Sequence, residues 1–316
     1  MNSQPLISFC MPIRNGGQAS KIALESVVNQ TYSNIEIVIS DNNSTDETSE
    51  ICKHFQSIDP RIKYFRQTNS LNMAQNARFV FDQATGDYVI FAAHDDTRSL
   101  NYAEVLMKKM LEKAGASLVF SDLVEFSELC EWQKNTSLID YDYLSDYKDS
   151  FSKKINTLCH LKRYTHLFGL IPRKLLLDYS WVELDFTSDL VLLVHLACRG
   201  SFMKATGATF YYYRPKQGKL HNERAKSSFF HDLKPFPYLR LCFAIAESGQ
   251  TAEKAEGRDR SFLVVFLISF YYLFSLRLKR LCTFQAIPHI IRFFAVKLPK
   301  KCFQLIYKIF CNNLIK

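Results

Sequence analysis

Two adjacent carboxylates, Asp95 and Asp96, follow His94 and close the apolar run DYVIFAA. Like charges this close repel unless something positive sits beside them. The pair therefore marks either a divalent-cation site or the polar entry to the next helix, where an Asp can cap the first turn. A hard ion such as Mg2+ or Mn2+ takes carboxylate and diphosphate oxygens, so Asp95 and Asp96 are candidate metal ligands. His221, in the basic stretch after YYYRPKQGKL, is a candidate third ligand or phosphate contact, against the plainer reading of a surface histidine. No GxGxxG follows the first apolar run, where Gly16-Gly17 is the only glycine pair, and no GxxxxGK[ST] occurs. Bound phosphates would thus be neutralised by a cation rather than cradled by a glycine-rich loop.

Such residues act together only if the chain brings them to one place. Leu6–Met11 reads as a buried strand stopped by Pro12, and IEIVIS (35–40) as a second strand ending on Asp41-Asn-Asn43. RIKYFR (61–66), DYVIFAA and SLVFSD (117–122) read as further strands. Between them lie helical patterns: SKIALESVVNQ, a helix opened by a Ser44/Glu47 capping box, one through Met73, Ala77, Val80/Phe81 and Ala84, and one through Leu100, Ala103, Met107, Leu111 and Ala114. This alternation predicts an α/β fold, a mainly parallel sheet with helices on both faces. Ligands of such sheets bind beyond the carboxyl ends of the strands. Pro12-Ile-Arg-Asn15, Asp41-Asn-Asn43 and His94-Asp-Asp96 then share one rim. Residues 123–165 show weak periodicity. Order returns at 166–178, 187–200 and 208–214, where FYYYR is expected to be a last core strand.

Charge divides the chain unevenly. Residues 1–260 hold 31 Lys+Arg and 31 Asp+Glu, whereas 261–316 hold nine Lys+Arg and no acid, so the net +9 belongs to the tail. SFLVVFLISFYYLFSL (261–276) is sixteen uncharged residues, about 24 Å as a helix and short of a ~30 Å bilayer core. After Pro299, Lys300, Gln304, Lys308 and Asn312 recur every four residues opposite an apolar side. That pattern suits helices lying in an anionic membrane surface, against the plainer options of packing on their own body or pairing in a homodimer. Acid-free apolar helices do not suit nucleic acid. Nine scattered cysteines without a CxxC are expected to be reduced thiols, and MNSQPLISFCMPIRNGG shows no signal-peptide pattern. The expected location is cytoplasmic, peripheral on the inner face of the cell membrane.

The stretches ISFCMPIRNGG, NIEIVISDNNSTDET, NMAQNARFVFDQATGDYVIFAAHDD and TSDLVLLVHLACRG, taken in order, resemble the family 2 inverting glycosyltransferases. The resemblance implies a GT-A (Rossmann-like) domain, with a nucleotide-sugar-binding half (1–122) and an acceptor-binding and catalytic-base half (123–225). A helical, basic, membrane-associating region (226–316) follows. It implies that Pro12, Arg14 and Asn15 line the nucleoside, that Asp41 meets its base, and that His94 and Asp95 lie at the nucleotide-sugar. Gln75 falls where many members carry an Arg. The family's Asp-x-Asp-Asp is here Ala93-His94-Asp95-Asp96, with Asp95 matching the metal ligand for Mn2+ or Mg2+. Asp189 matches the catalytic base, against the plainer reading of a helix cap, and Ser188-Asp189 replaces the usual Glu-Asp. The implied reaction moves a sugar from a nucleoside-diphosphate sugar, by default a UDP-sugar, to a hydroxyl of a glycan or lipid-linked acceptor in cell-surface polysaccharide or glycolipid synthesis. The competing expectation is a catalytically inactive, membrane-bound scaffold or glycan-binding subunit of the same fold.

Overall fold

The computed structural model describes residues 4–128, 138–139, 158, 161, 164–181 and 188–214. The chain divides into two compact units, Met1–Leu273 and Phe274–Lys316, and every described residue lies in the first. The helical tail expected from the sequence lies outside the described residues.

The first half alternates strand and helix: β1 (Ile7–Ile13), α1 (Gly17–Val28), β2 (Ile35–Asp41), α2 (Thr48–Ile58), β3 (Ile62–Arg66), α3 (Met73–Gln83) and β4 (Tyr88–Phe91). All of β2 and all but one residue of β1 are buried, as expected of strands covered by helices on both faces. β1 pairs in parallel with β2 and β4, and β2 with β3. The register sets Ile13 beside Asp41 and Cys10 beside Phe91, so the chain leaves β1, β2 and β4 at one edge.

The second half folds back on the first. It comprises β5 (Thr97–Arg98), α4 (Tyr102–Glu112), β6 (Ala116–Phe126), β7 (Leu138–Ile139), β8 (Leu170–Pro172), α5 (Ser188–Arg199) and β9 (Ser201–Tyr213). The strand order is β3-β2-β1-β4-β8-β6-β9-β5, with β7 on β6. β8 runs antiparallel between β4 and β6, whereas β9 lies parallel to β6 and antiparallel to β5. The sheet is therefore mixed: parallel through β3-β2-β1-β4, then reversed by a three-residue strand.

A buried carboxylate ties the edge opposite the site. Glu36 accepts from Ser8 Oγ (2.5 Å), Thr85 N–H (2.5 Å), Gly86 N–H (3.1 Å) and Lys63 Nζ (2.6 Å). Burial alone would raise its pKa, but Lys63 and the other donors hold it down at about 2. A Cβ on Gly86 would meet Ser8 Oγ at 2.6 Å and the Leu6 carbonyl at 2.7 Å, so this turn into β4 has room only for glycine.

Two expectations are corrected. Ser44 does not open α2: its hydroxyl accepts from Asn15 N–H, and the helix begins only at Thr48. The capping box is on α3, where Asn72 and Gln75 each accept from the other's backbone N–H. In α4 the core face is Tyr102, Ala103, Leu106, Met107 and Met110, while Leu100 and Leu111 are exposed.

Candidate active site

The rim begins where β1 runs out. Asn15 (φ +48) and Gly17 (φ +45) turn the chain sharply. Thr48 Oγ1 accepts from Gly16 and Gly17 N–H at 2.9 and 3.0 Å, and Asn15 Oδ1 accepts from Thr45 N–H at 2.9 Å. The first loop is thereby fastened to the second. Asn15 serves as that fastener and is not among the cavity's lining residues, whereas Pro12 and Arg14 are.

At the end of β2 the two polar neighbours divide their tasks. Asp41 is fully buried; its Oδ1 accepts from Ser44 N–H (2.9 Å), its Oδ2 accepts from Tyr64 O–H (2.8 Å), and Arg66 lies 3.6 Å away. It stiffens the loop and does not line the cavity. Asn42 does. Its Nδ2 donates to the Leu71 carbonyl (2.8 Å) and its Oδ1 accepts from Leu71 N–H (2.6 Å), so one side chain holds the two successive peptides that meet at Leu71. Gln75, committed to the α3 cap, is exposed and off the cavity wall, while Met73 of the same turn lines the cavity and is 70 % exposed.

Beyond β4, His94 and Asp95 line the cavity and Asp96 turns away from it. Asp96 is 1 % exposed and its Oδ1 accepts from Tyr213 N–H at 2.8 Å. Burial, with Asp95 adjacent, pushes its pKa well up. Arg98 lies fully buried nearby, its guanidinium over Phe9, Tyr102 and Phe210 at 5.6–5.9 Å. A Cβ on Gly16 would meet His94 Cδ2 at 3.0 Å, so the glycine lets the first loop pack against the histidine ring.

Across the cavity, Asp189 lies in the first turn of α5. Burial raises its pKa from 3.8 to about 6, and Tyr179 feels its charge. A carboxylate poised near neutrality is what a general base needs. One cavity of about 580 Å3 joins Pro12, Arg14, Asn42, His94, Asp95 and Asp189. Tyr179 and Trp181, not singled out in the sequence, complete its wall. Their signal was weak, although Trp181 is one of only two tryptophans in the chain.

Among the described residues no group of three His, Cys, Asp or Glu side chains could cage a metal ion, and His221 lies outside them. On this rim the cavity is faced by one carboxylate, Asp95, with His94 beside it, while Asp189 lies on α5. That donor set fits a Mg2+ or Mn2+ ion that fills its remaining positions with diphosphate oxygens and water, and not an ion enclosed by protein alone.

The family model for glycosyl transferase family 2 matches residues 8–180. The chain belongs to this family. Its matched segment runs from β1 through Asp95 to Tyr179, so the polar rim and part of the aromatic wall lie within the family domain. Glycosyltransferase GlyA of Streptococcus pneumoniae is 37 % identical over 39 % of this chain and 17 % of its own length. A GalNAc(5)-diNAcBac-PP-undecaprenol beta-1,3-glucosyltransferase of Campylobacter jejuni is 30 % identical over 63 % of this chain and 62 % of its own. The match thus spans less than two thirds of either relative. Among solved structures, S. aureus TarS 1-349 in complex with UDP-GlcNAc superposes with a TM-score of 0.64 at 14 % identity, over 92 % of this chain and 79 % of that one. At that identity the likeness establishes the GT-A type of fold.

Proposed function

We propose that this family 2 glycosyltransferase moves a sugar from a nucleoside-diphosphate sugar to an acceptor hydroxyl in a single inverting displacement. The observation that carries the reading is Asp189: a desolvated carboxylate with a pKa near 6, in the same cavity as Arg14 and Asp95. Pro12 and Asn42, with the Leu71 backbone that Asn42 holds, form the wall against which the nucleoside rests. Arg14 is the one Lys or Arg side chain among the described lining residues, and it faces the diphosphate. One guanidinium does not balance a diphosphate beside two carboxylates, so Asp95 is assigned to a divalent ion that arrives with the nucleotide. Bound there, Mn2+ or Mg2+ would stabilise the charge that develops on the leaving diphosphate. Asp189 takes the proton of the acceptor hydroxyl as its oxygen attacks the anomeric carbon from the face opposite the leaving group.

The default donor is a UDP-sugar, in keeping with the UDP-GlcNAc held by TarS; the name of the C. jejuni relative describes a polyprenyl-diphosphate-linked glycan as acceptor. A lipid-linked acceptor would suit a tail (261–316) resting on an anionic membrane surface. Flotation of the full chain with anionic vesicles, released by salt, tests that placement. A chain that stays soluble at low salt refutes it.

The deciding experiment is turnover of a nucleotide-sugar panel with and without Mn2+, with the anomeric configuration of the product read by NMR. Metal-stimulated turnover with inversion is expected, and retention overturns the single-displacement mechanism. The alternative, an inactive glycan-binding relative, is favoured by one observation: Ala93 lines the cavity where the family pattern has an acid. Absence of both turnover and metal-dependent nucleotide binding would decide for it.

A further inference from the structure

Aromatic rings occupy the part of the cavity around Asp189. Trp181 packs on Phe81 (5.2 Å between centroids), Tyr179 (5.2 Å) and Phe91 (6.0 Å). Phe91 ends the strand that leads to Asp95, and Tyr179 is the ring that feels the charge of Asp189. Trp181 and Asp189 thus line one cavity, with the indole seated on the ring that ends β4 and on Tyr179. It remains half-buried and lines the cavity. Its backbone is also unusual. At φ +46 it occupies the left-handed region, which a bulky L-residue adopts only when its surroundings impose it. The three packed rings hold the indole in place against the cavity.

The charge of this wall is as telling as its shape. Phe168, Tyr179, Trp181 and Leu192 are uncharged, and Asp189 is the only ionisable group beside them among the described lining residues other than Tyr179. Arg14, the one described Lys or Arg side chain of the cavity, is assigned to the diphosphate. Arg173 lies over Phe81 (5.2 Å) but off the cavity wall, so an acceptor with a phosphate or carboxylate at the attacking unit would bring its charge beside Asp189 with no other cation in the described lining to offset it. An uncharged pyranose has the opposite properties: an apolar C–H face for an aromatic ring and hydroxyls for the base.

We infer that Trp181 is the platform for the acceptor, and that the acceptor unit entering this subsite is an uncharged sugar ring. The inference rests on the transfer reaction proposed above and adds the chemical class of the acceptor unit and the residue that selects it.

The test uses the full chain carrying Trp132→Phe, which leaves Trp181 as the sole tryptophan. With UDP present, its emission is followed during titration with the methyl glycosides of glucose, galactose and N-acetylglucosamine, and separately with methyl glucuronide and glycerol 3-phosphate. Saturable quenching or a shift by at least one neutral glycoside, with none by the two anions, is expected. A response to the anions, or to none of the probes, overturns the inference.

Kinetics with the best neutral glycoside supply the second arm. Trp181→Ala should raise the acceptor KM roughly tenfold or more while the donor KM moves by less than about twofold, and Trp181→Phe should recover most of the loss. A larger rise in donor KM would assign the ring to the donor sugar and refute the inference. Should Trp181→Ala fail to fold, Trp181→Phe and the emission titration still decide. The underlying reaction fails separately: it falls if Asp189→Asn retains full transfer, whereas the acceptor inference falls if Asp189→Asn abolishes transfer and Trp181 proves indifferent to acceptor.

Discussion

Replacing Asp189 by Asn removes a charge and almost no volume, which separates two effects that share one cause. Burial lifts the carboxyl from 3.8 to about 6. A rise of that size corresponds to roughly 3 kcal/mol of preference for the protonated form in the folded protein. The sign follows from linkage: the folded chain holds the proton more tightly than the unfolded chain. This contribution to stability is fully present below about pH 4 and is lost as pH rises through about 6. Asn carries no charge to desolvate at any pH. Asp189→Asn should therefore be more stable than the parent at pH 8, by up to roughly 3 kcal/mol, and nearly equal to it at pH 4. For a domain of this size that corresponds to a rise of roughly 6–12 °C in the unfolding midpoint at pH 8. The same substitution should lower kcat by about 10²–10⁴-fold, the usual contribution of a general base. Differential scanning fluorimetry at the two pH values, beside initial rates, measures both. Equal midpoints at pH 8, or the same shift at pH 4, would refute a buried ionised Asp189. A near-normal rate would refute its role as the base. In the parent, kcat/KM should rise with pH through about 6 and level off above it.

Other expectations are equally direct. Glu36→Gln should destabilise the domain by about 2 kcal/mol in urea unfolding at pH 7, since five donor groups lose a charged acceptor. Because the Glu36 pKa is held down at about 2, its contribution is present above about pH 4.5 and fades as pH falls toward 2, so the variant and parent should converge in acid. Asn42→Ala releases the Leu71 backbone and should raise the donor KM about tenfold, with a smaller change in kcat, in steady-state assays. Asp95→Asn should raise the Mn2+ concentration for half-maximal activity by about 10–100-fold. Asp96→Ala should instead lower the unfolding midpoint and leave that concentration nearly unchanged, because it removes the oxygen that accepts from Tyr213 N–H on β9 and does not touch the cavity wall.

Hydrophobic periodicity made the first half of the fold legible. β1, β2 and β4 are short, apolar, and end on polar clusters, and those clusters do meet at one edge. The second half was harder to read for physical reasons. β8 has three residues and β5 two, too few for any periodicity, and both take their place only through partners distant in sequence. Polar roles were legible as a group and not one by one. Asp41 and Asn42 looked alike on the rim, yet only Asn42 faces the cavity; which of two neighbours points inward depends on a backbone phase that composition does not reveal. Ser44 and Glu47 had capping-box spacing, but the tertiary contact from Asn15 took the hydroxyl. Trp181 sits in a stretch without periodicity, and its orientation follows from rings contributed by α3, β4 and the segment before α5.

The opposed directions of Asp95 and Asp96 have a consequence for how this sequence can drift. One carboxylate lines the cavity and the next secures β9, and both sit in a five-residue bend between the end of β4 and the start of β5. A substitution at Ala93 or His94 changes the chemistry of the wall and leaves the span of that bend unchanged. Loss or gain of a single residue between Phe91 and Thr97 must be absorbed either by the cavity wall or by the bond from Tyr213 N–H to Asp96, because both ends of the bend are held in the sheet. Descendants of this chain are thus free to vary the composition of the loop while its length stays fixed.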